Sequence, residues 1–306
     1  MATVSWAGKP RTRSRPKRGG QIMKTMYPHW FYLPGGLLFL VFFALPTFAS
    51  FYFSLTRWTL FDVDFIGLAN FVQFFREPRL YQSFINTLIF GFITSFAKIV
   101  IALALALVLT SRLFAQDFLR AVIFFPVLAS TIGIGITFKA LLDPYNGMIN
   151  VTMGWFGVDG PGWLTDPKLA LYSVAMVEVW KTIGISTLIY IAGLVSIPQE
   201  YYEAARVDGA GWWSQFRHIT IPLVWPATGT VIILSLISGL RSFDLIWAMT
   251  GGGPGFASDV IASVIYKQYQ AGYYGLSTAG NVILFMVVLA IMIPVSRLVN
   301  RRGVEV

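Results

Sequence analysis

The chain has 306 residues, of which 56% are hydrophobic and only 12% are charged. That is more apolar side chain than one soluble domain can enclose, so the composition predicts a membrane protein. The sequence holds no cysteine and 2 histidines. This excludes disulfides and cysteine-ligated metals, and it argues against a histidine metal cluster or a Ser/His/Asp triad.

The formal net charge of +9 owes much to the first residues of the chain. Seven of the 23 basic residues lie in the first 24 positions, among prolines and glycines. Such a segment has nothing apolar to bury, so we expect residues 1–30 to form a disordered, cytoplasmic basic tail beside anionic lipid. We do not expect nucleic acid to bind it. Residues 31–300 are then expected to form a single transmembrane domain.

Six segments are long and apolar enough to cross a bilayer as helices. The predicted spans are residues 31–55, 83–109, 119–141, 169–193, 221–247 and 276–298. Lysine and arginine are more frequent on the side that would hold both termini, so the positive-inside rule places both termini in the cytoplasm. The sequence thus predicts an all-α, multi-pass membrane protein.

Two connections between predicted spans have recognisable patterns. Residues 65–76 place apolar side chains at helical spacing opposite Asn70, Gln73 and Arg76, which predicts a short helix in the outer membrane interface. Residues 142–168 are rich in glycine, proline and aspartate, which predicts an ordered loop of turns.

The segment EAARVDGAGWWSQFRHITIPLVWP, residues 203–226, is polar and lies between the fourth and fifth predicted spans. Pro198 ends the fourth span, and a helix is predicted for residues 199–207, with Gly209 as its exit. A second helix is predicted for residues 212–219. Two short helices at an angle form either a knob that a partner grips or a hairpin packed on its own spans, and composition leaves both open.

Within this segment the spacing is Glu203-Ala204-Ala205, three residues, Gly209, nine residues, then Ile219, one variable residue, Ile221 and Pro222. This spacing resembles the EAA loop of bacterial ABC importer permeases, whose coupling helices dock into nucleotide-binding subunits. Six of the seven defining positions agree, and only Ile221 replaces the usual leucine. Further segments resemble the carbohydrate-importing, MalF-like branch of that family: GLANF at 67–71, NTL at 86–88, RAVIFFP at 120–126 and FDLIWAMTGGGP at 243–254.

The resemblance implies a type I ABC importer permease fold with six spans and an EAA-type coupling loop. It implies a place in the bacterial inner membrane beside a second homologous permease, two ATP-binding cassette subunits that hold ATP and Mg, and an external solute-binding protein. No G-x-x-x-x-G-K-[ST] phosphate loop occurs in the sequence, so we expect neither a cofactor nor catalysis in this chain. Residues 199–218 would be the coupling helices. The residues implied to dock the ATPase are Glu203, Ala204, Ala205, Arg206, Asp208, Gly209 and Trp212.

The resemblance also places the path of a sugar or oligosaccharide along the middle of the fourth and fifth spans. The residues expected to line it are Trp180, Lys181, Thr182, Ile185, Ser235, Ser238, Gly239 and Ser242. The residues themselves leave two alternatives open. Glu178 and Lys181 could pair with each other on one helix face, and the small residues of the fifth span could form a helix-packing seam.

Two other kinds of transport also remain open. Lys98 and Arg241 leave room for an acidic or phosphorylated solute, such as glycerol phosphate or a uronate oligosaccharide, in place of a neutral, polyol-like sugar. A proton-coupled secondary transporter would need a titrating carboxylate in the membrane, and only Glu178 and Asp244 are candidates.

Overall fold

The computed structural model describes residues 29–59, 61–111 and 114–301, and within these ranges the chain is helical apart from one small hairpin and its loops. The predicted basic tail, residues 1–30, lies outside the described residues except for its last two. The chain divides into a unit that ends at Thr47 and a unit that begins at Phe48, which are described in turn.

The first unit is helical from its first described residue. A 3₁₀ turn, His29–Tyr32, leads into α1, Leu33–Phe39, then a π-helical stretch, Leu40–Ala44, and the start of α2, Leu45–Phe53. None of residues 30–47 is buried. A continuous apolar helix with no buried side chain suits a lipid environment, because lipid solvates apolar side chains.

The second unit opens with a short antiparallel hairpin followed by an amphipathic helix. The hairpin consists of β1, Thr56–Trp58, and β2, Val63–Phe65, and the helix is α3, Ala69–Arg76. The side-chain amide of Asn70 donates to the main-chain oxygens of Ser54 and Thr56, which fixes α3 against the hairpin. The helix predicted from residues 65–76 is confirmed.

The other helices build the bundle and its loops. Their bounds are α4 Pro78–Thr110, α5 Gln116–Leu128, α6 Thr131–Leu141, α7 Met148–Trp155, α8 Ala170–Val195, α9 Gln199–Val207, α10 Trp212–Gln215, α11 Ile221–Leu223, α12 Trp225–Leu240, α13 Asp244–Met249, α14 Ile261–Gln270 and α15 Tyr274–Arg301, with a π-helical stretch, Phe216–Thr220, between α10 and α11.

Four described helices are long and apolar enough to cross a membrane: Trp30–Phe53, α4, α8 and α15. Two bent pairs raise the number to six if each pair is one span. One pair is α5 with α6, and the other joins Trp212–Leu223 to α12. The six predicted spans correspond to these regions, and their number stays a prediction because it depends on the bent pairs.

The third predicted span is not straight, because α5 and α6 meet at 98°. Pro126 cannot donate a main-chain hydrogen bond, and the chain is extended at Ala129. Ser130 then begins a new helix, with its side-chain oxygen accepting from the N–H of Gly133. The apolar pattern of residues 119–141 did not reveal this corner, since both arms are equally hydrophobic.

Two further boundaries differ from the sequence prediction. The fifth span, predicted to reach residue 247, ends at Leu240, and α13 begins separately at Asp244. The loop predicted for residues 142–168 contains α7, whose apolar turns are masked by the glycines and prolines around it. In both places the local sequence pattern does not show where the helix begins and ends, because contacts with other helices decide it.

The helix α8 is the centre of the second unit. Its first half packs in a cluster with Phe90 of α4, Ile134 of α6 and Ile246 of α13. Its second half packs in another cluster with Ala102 and Ala106 of α4 and Val231 of α12. Any force applied to α8 is therefore transmitted directly to α4 and α12.

Candidate functional site

The polar segment after α8 forms an elbow, residues 199–220, made of two short helical arms. Pro198 ends the preceding helix and stands at the N-cap of α9. After α9 ends, Gly209 turns the chain with a φ of 77°. A side chain with a Cβ is strained at that φ, so glycine permits the turn. The predicted order of helix, glycine turn and helix is confirmed.

Two hydrogen bonds stiffen the elbow. The side-chain amide of Gln215 donates to the carbonyl oxygen of Ala210, with 2.7 Å between nitrogen and oxygen. The hydroxyl oxygens of Tyr202 and Thr220 are 3.0 Å apart. The first bond ties the second arm to the turn and the second bond ties it to α9, so the elbow moves as one piece.

The outer surface of the elbow is aromatic at its corner. The side chains of Val207, Trp212 and Trp213 are 88%, 70% and 62% exposed. The rings of Trp212 and Phe216 stack with their centroids 5.4 Å apart. Large exposed apolar side chains rimmed by charge are typical of a surface that binds another protein.

The structure brings the predicted docking residues onto this one short segment. Those that are exposed are Glu203, Ala204, Arg206, Asp208, Gly209 and Trp212, whereas Ala205 is half-buried. The guanidinium of Arg206 donates to the main-chain oxygen of Tyr202, which holds it along α9. Their docking role stays a prediction.

A cavity of about 420 Å³ separates part of the elbow from the bundle. Its walls come from the ends of α4 and α8 and from Tyr202, Trp212 and Gln215 of the elbow. The elbow is therefore loosely packed here, and its firm connections to the bundle are the chain itself, at Pro198 and at α11.

A buried ion pair and an exposed serine form a network that links three helices of the bundle. Nζ of Lys98 on α4 lies 3.2 Å from Oε1 of Glu178 on α8. The hydroxyl of Ser238 on α12 donates to the same oxygen, also at 3.2 Å. Lys98 is 1% exposed and Glu178 is 6% exposed. One carboxylate oxygen thus joins three membrane helices.

This network corrects the alternative that Glu178 pairs with Lys181. The ion pair goes to Lys98, 80 residues away in sequence, because the Glu178 face of α8 packs against α4. The carboxylate of Glu178 is held by a cation and a hydroxyl on two neighbouring helices. Lys98 in turn is committed to Glu178 and is not a free cation.

The predicted path residues on α8 are divided between two exposed surfaces. Tyr172, Met176 and Trp180 form one exposed stripe at four-residue spacing, and Ile185, Leu188, Ala192 and Val195 form a second exposed face. Lys181 and Thr182 are half-buried, and the Thr182 hydroxyl donates to the main-chain oxygen of Glu178. At 3.6 residues per turn the two surfaces are roughly 140° apart around the helix axis, so α8 can contact two different neighbours.

The predicted path residues on α12 differ in burial. Ser235 and Gly239 are buried, and a Cβ placed on Gly239 would come within 2.9 Å of the Gly91 Cα on α4. Ser238 is exposed and bonds to Glu178, and Ser242 is half-buried. Gly239 thus belongs to a close α4–α12 seam, as the packing alternative states, and the role of all four residues in the path stays a prediction.

At the end of the bundle opposite the elbow, residues 250–259 form an ordered loop that sequence reasoning did not single out as a site. Asp259 is buried and accepts from Lys267 Nζ at 2.8 and 2.7 Å and from the Ser263 hydroxyl. Burial raises the pKa of the Asp259 carboxyl, and the bonds from Lys267 and Ser263 act in the opposite direction. Asn86 on α4 donates to the main-chain oxygens of Ala257 and Asp259, which pins the loop.

Among the described residues, no group of three or more histidines, aspartates or glutamates is placed to hold a metal ion.

Comparison with known proteins gives consistent matches. A family model described as "Binding-protein-dependent transport system inner membrane component" matches residues 19–303. The trehalose/maltose transport permease MalF of Thermococcus litoralis is 35% identical over 85% of this chain and 89% of its own. The arabinooligosaccharide transport permease AraP of Bacillus subtilis is 31% identical over 88% of this chain and 87% of its own. A crystal structure of a bacterial ABC transporter that imports alginate superposes with a TM-score of 0.78 at 24% identity, covering 89% of this chain and 94% of that one.

Proposed function

Because the chain belongs to the family of binding-protein-dependent transport system inner membrane components, we propose that it is a permease subunit of an ATP-driven importer of a sugar or oligosaccharide. An external binding protein delivers the solute. ATP is hydrolysed in separate subunits that bind ATP and Mg, and the permease is not itself an enzyme.

The observation that carries the proposal is the exposed, braced elbow with its EAA spacing. Glu203 and Arg206 are exposed on α9, and Trp212 presents its ring at the corner. Such a surface suits a groove on a partner that supplies an opposite charge to Glu203 and an apolar pocket for the ring. Ala204 and Ala205 allow that partner to approach closely.

The geometry supports a simple route for force. The elbow follows α8 through Pro198 and continues through α11 into α12, which is inclined at 64° to the preceding helices. Lys98, Glu178 and Ser238 tie α8 and α12 to α4. Movement of the elbow would therefore tilt these three helices together, opening the passage to one side of the membrane and then to the other.

The remaining parts of the assembly follow from the family. We propose a second, homologous permease, two ATP-binding cassette subunits, and a bacterial inner membrane position with both termini in the cytoplasm. The exposed face of α8 that holds Ile185 and Leu188 would face the passage between the two permeases. These apolar side chains, with the exposed Ser238 hydroxyl on α12, suit a saccharide that has apolar ring faces and many hydroxyls.

The test is a charge reversal on the elbow. Glu203→Lys in the chain purified from its native membrane should lower the copurified ATPase about tenfold while the second permease is retained, because a like charge then faces the docking groove. The matched control is Glu200→Lys, an exposed carboxylate one turn earlier on α9.

The solute is identified from the external binding protein that copurifies, by a calorimetric screen of sugars. ATP-driven uptake of that sugar by the reconstituted wild-type complex is the second readout, and it should fall with Glu203→Lys. If no ATPase copurifies with the wild-type chain, or if Glu203→Lys retains it in full, the elbow is not the docking site.

A further inference from the structure

The strongest unassigned feature is a cleft of about 620 Å³ at the end of the bundle opposite the elbow. It lies between the first turns of α4, the start of α8 and the loop of residues 250–259. The residues that shape its chemistry are Arg79, Gln82, Lys168, Tyr172 and Phe256. Its volume is in the range of sites that take a small ligand.

The cleft is positively charged. Arg79 and Lys168 both line it, and no carboxylate does. In the described chain neither cation forms an ion pair. Acidic residues close to the two cations in sequence are Glu77, just before α4, and Asp166, whose carboxylate accepts the main-chain N–H of Lys168. Asp259 is paired with Lys267, whose Nζ lies 5.3 Å from the centroid of the Phe256 ring. The first turn of α4 contains no acidic residue, so the positive end of that 33-residue helix adds to the field.

The arginine is held in place by an aromatic ring. The guanidinium carbon of Arg79 lies 4.4 Å from the centroid of the Phe256 ring. Phe256 has a φ of 69°, a left-handed backbone that is uncommon for a bulky residue. The bonds from Asn86 to the main-chain oxygens of Ala257 and Asp259, which follow this position, hold the loop in place. Strained residues held this firmly are concentrated at binding sites.

We propose that this cleft is an outer subsite for a saccharide unit that carries a carboxylate. Stacking leaves the edges of the Arg79 guanidinium free to donate two parallel hydrogen bonds to a carboxylate. Lys168 supplies a second charge across the cleft, and the Tyr172 ring, 49% exposed, offers an apolar face for the sugar. Gln82 donates to Asn86, which leaves its amide oxygen free to accept from a sugar hydroxyl.

The cleft continues along one face of α8. Tyr172 belongs both to the cleft and to the exposed stripe of α8, which continues through Met176 to Trp180. Eight residues of helix span about 12 Å, so one oligosaccharide in the cleft can also reach Trp180. The inference rests on the proposed transport function and narrows its substrate to an acidic oligosaccharide.

The experiment uses the purified complex in nanodiscs without its external binding protein. Saturation-transfer NMR compares trigalacturonate with its methyl ester, which has the same skeleton without the charge. We expect transfer to the acid and little to the ester. Arg79→Gln with Lys168→Gln should weaken binding of the acid about tenfold, because hydrogen bonds to charged groups are lost.

The matched control is Arg76→Gln with Lys139→Gln, which removes two exposed cations outside the cleft and should leave binding unchanged.

Equal transfer to acid and ester, or full binding by the cleft variant, overturns the subsite. So does a cleft variant that binds the saccharide normally but loses the external binding protein, since the cleft would then be a protein contact. ATP-driven saccharide uptake without trigalacturonate binding would retain the transport function and reject only the subsite. Trigalacturonate binding without any ATP-driven uptake would retain the subsite and reject the transport function.

Discussion

Lys98 and Glu178 show how a single pair of side chains can hold a membrane bundle together. Both are nearly inaccessible, and each is tolerated at that depth because the other neutralises it. Removing one partner leaves a buried charge, which costs far more than the pair itself contributes.

We therefore expect Lys98→Met to lower the stability of the chain in detergent by about 3 kcal/mol, measured as a fall in the midpoint of thermal denaturation. The double variant Lys98→Met with Glu178→Met should recover most of the loss, because no charge is then stranded. Lys139→Met, at an exposed cation on α6, is the control. A double variant as unstable as Lys98→Met alone would show that the pair is not the cause.

This pair also marks the limit of sequence reasoning at the level of residues. Both side chains are conspicuous as charges in apolar segments, but the local rule of three-residue spacing favoured Lys181 as the partner. Spacing along one helix predicts which residues share a face. It cannot predict which face of α4 meets α8, since that depends on the packing of the whole bundle.

At the level of elements, the seam between α4 and α12 depends on two glycines. A Cβ on Gly239 would lie 2.7 Å from the Thr94 hydroxyl and 2.9 Å from the Gly91 Cα, so a side chain there forces the helices apart. We expect Gly239→Val to destabilise the chain by about 2 kcal/mol, read from thermal denaturation.

Gly154→Val is the control for the glycine seam, because a Cβ at Gly154 meets nothing within 4 Å. Equal denaturation midpoints for the two variants would contradict the close approach. The sequence predicted the small residues of the fifth span and left two roles open for them. The structure places Gly239 at the contact between α4 and α12 and buries Ser235 one turn before it. The spacing of small residues along one helix cannot predict which of them contact a neighbouring helix.

The elements themselves were predictable to different degrees. α3 and the two arms of the elbow follow from amphipathic spacing, Pro198 and Gly209. The corner at Ala129 and Ser130 could not be predicted in this way, because hydropathy measures how apolar a segment is and contains no information on the direction of a helix axis. α7 was missed for the opposite reason, since breakers around it outweighed its eight helical residues.

On the scale of the whole molecule, the cysteine-free sequence allows the passage to be mapped directly. Ile185→Cys, on the exposed face of α8 that also holds Leu188, should react in the reconstituted complex with a charged thiol reagent, because only a thiol in water forms the reactive thiolate. Met286→Cys on α15 lies in a groove lined almost entirely by apolar side chains and should be unreactive. Equal labelling of both would move the passage away from α8.

The function was predictable from a few positions and not from the architecture. Composition indicated a membrane protein and no more, whereas the spacing from Glu203 to Pro222 identified the family that the comparisons show. The specific solute is less accessible, because selectivity arises from side chains brought together from α4, α8 and the loop at Phe256, which lie far apart in sequence.

The sharp corner between α5 and α6 has an electrical consequence. Ala129 and Ser130 are exposed at this corner, where the chain leaves helical geometry. Peptide groups outside a regular helix cannot be left in hydrocarbon, so wherever the corner enters the bilayer, water or another polypeptide covers them. The closeness of that covering contact then decides how well the membrane holds its ion gradients on this flank.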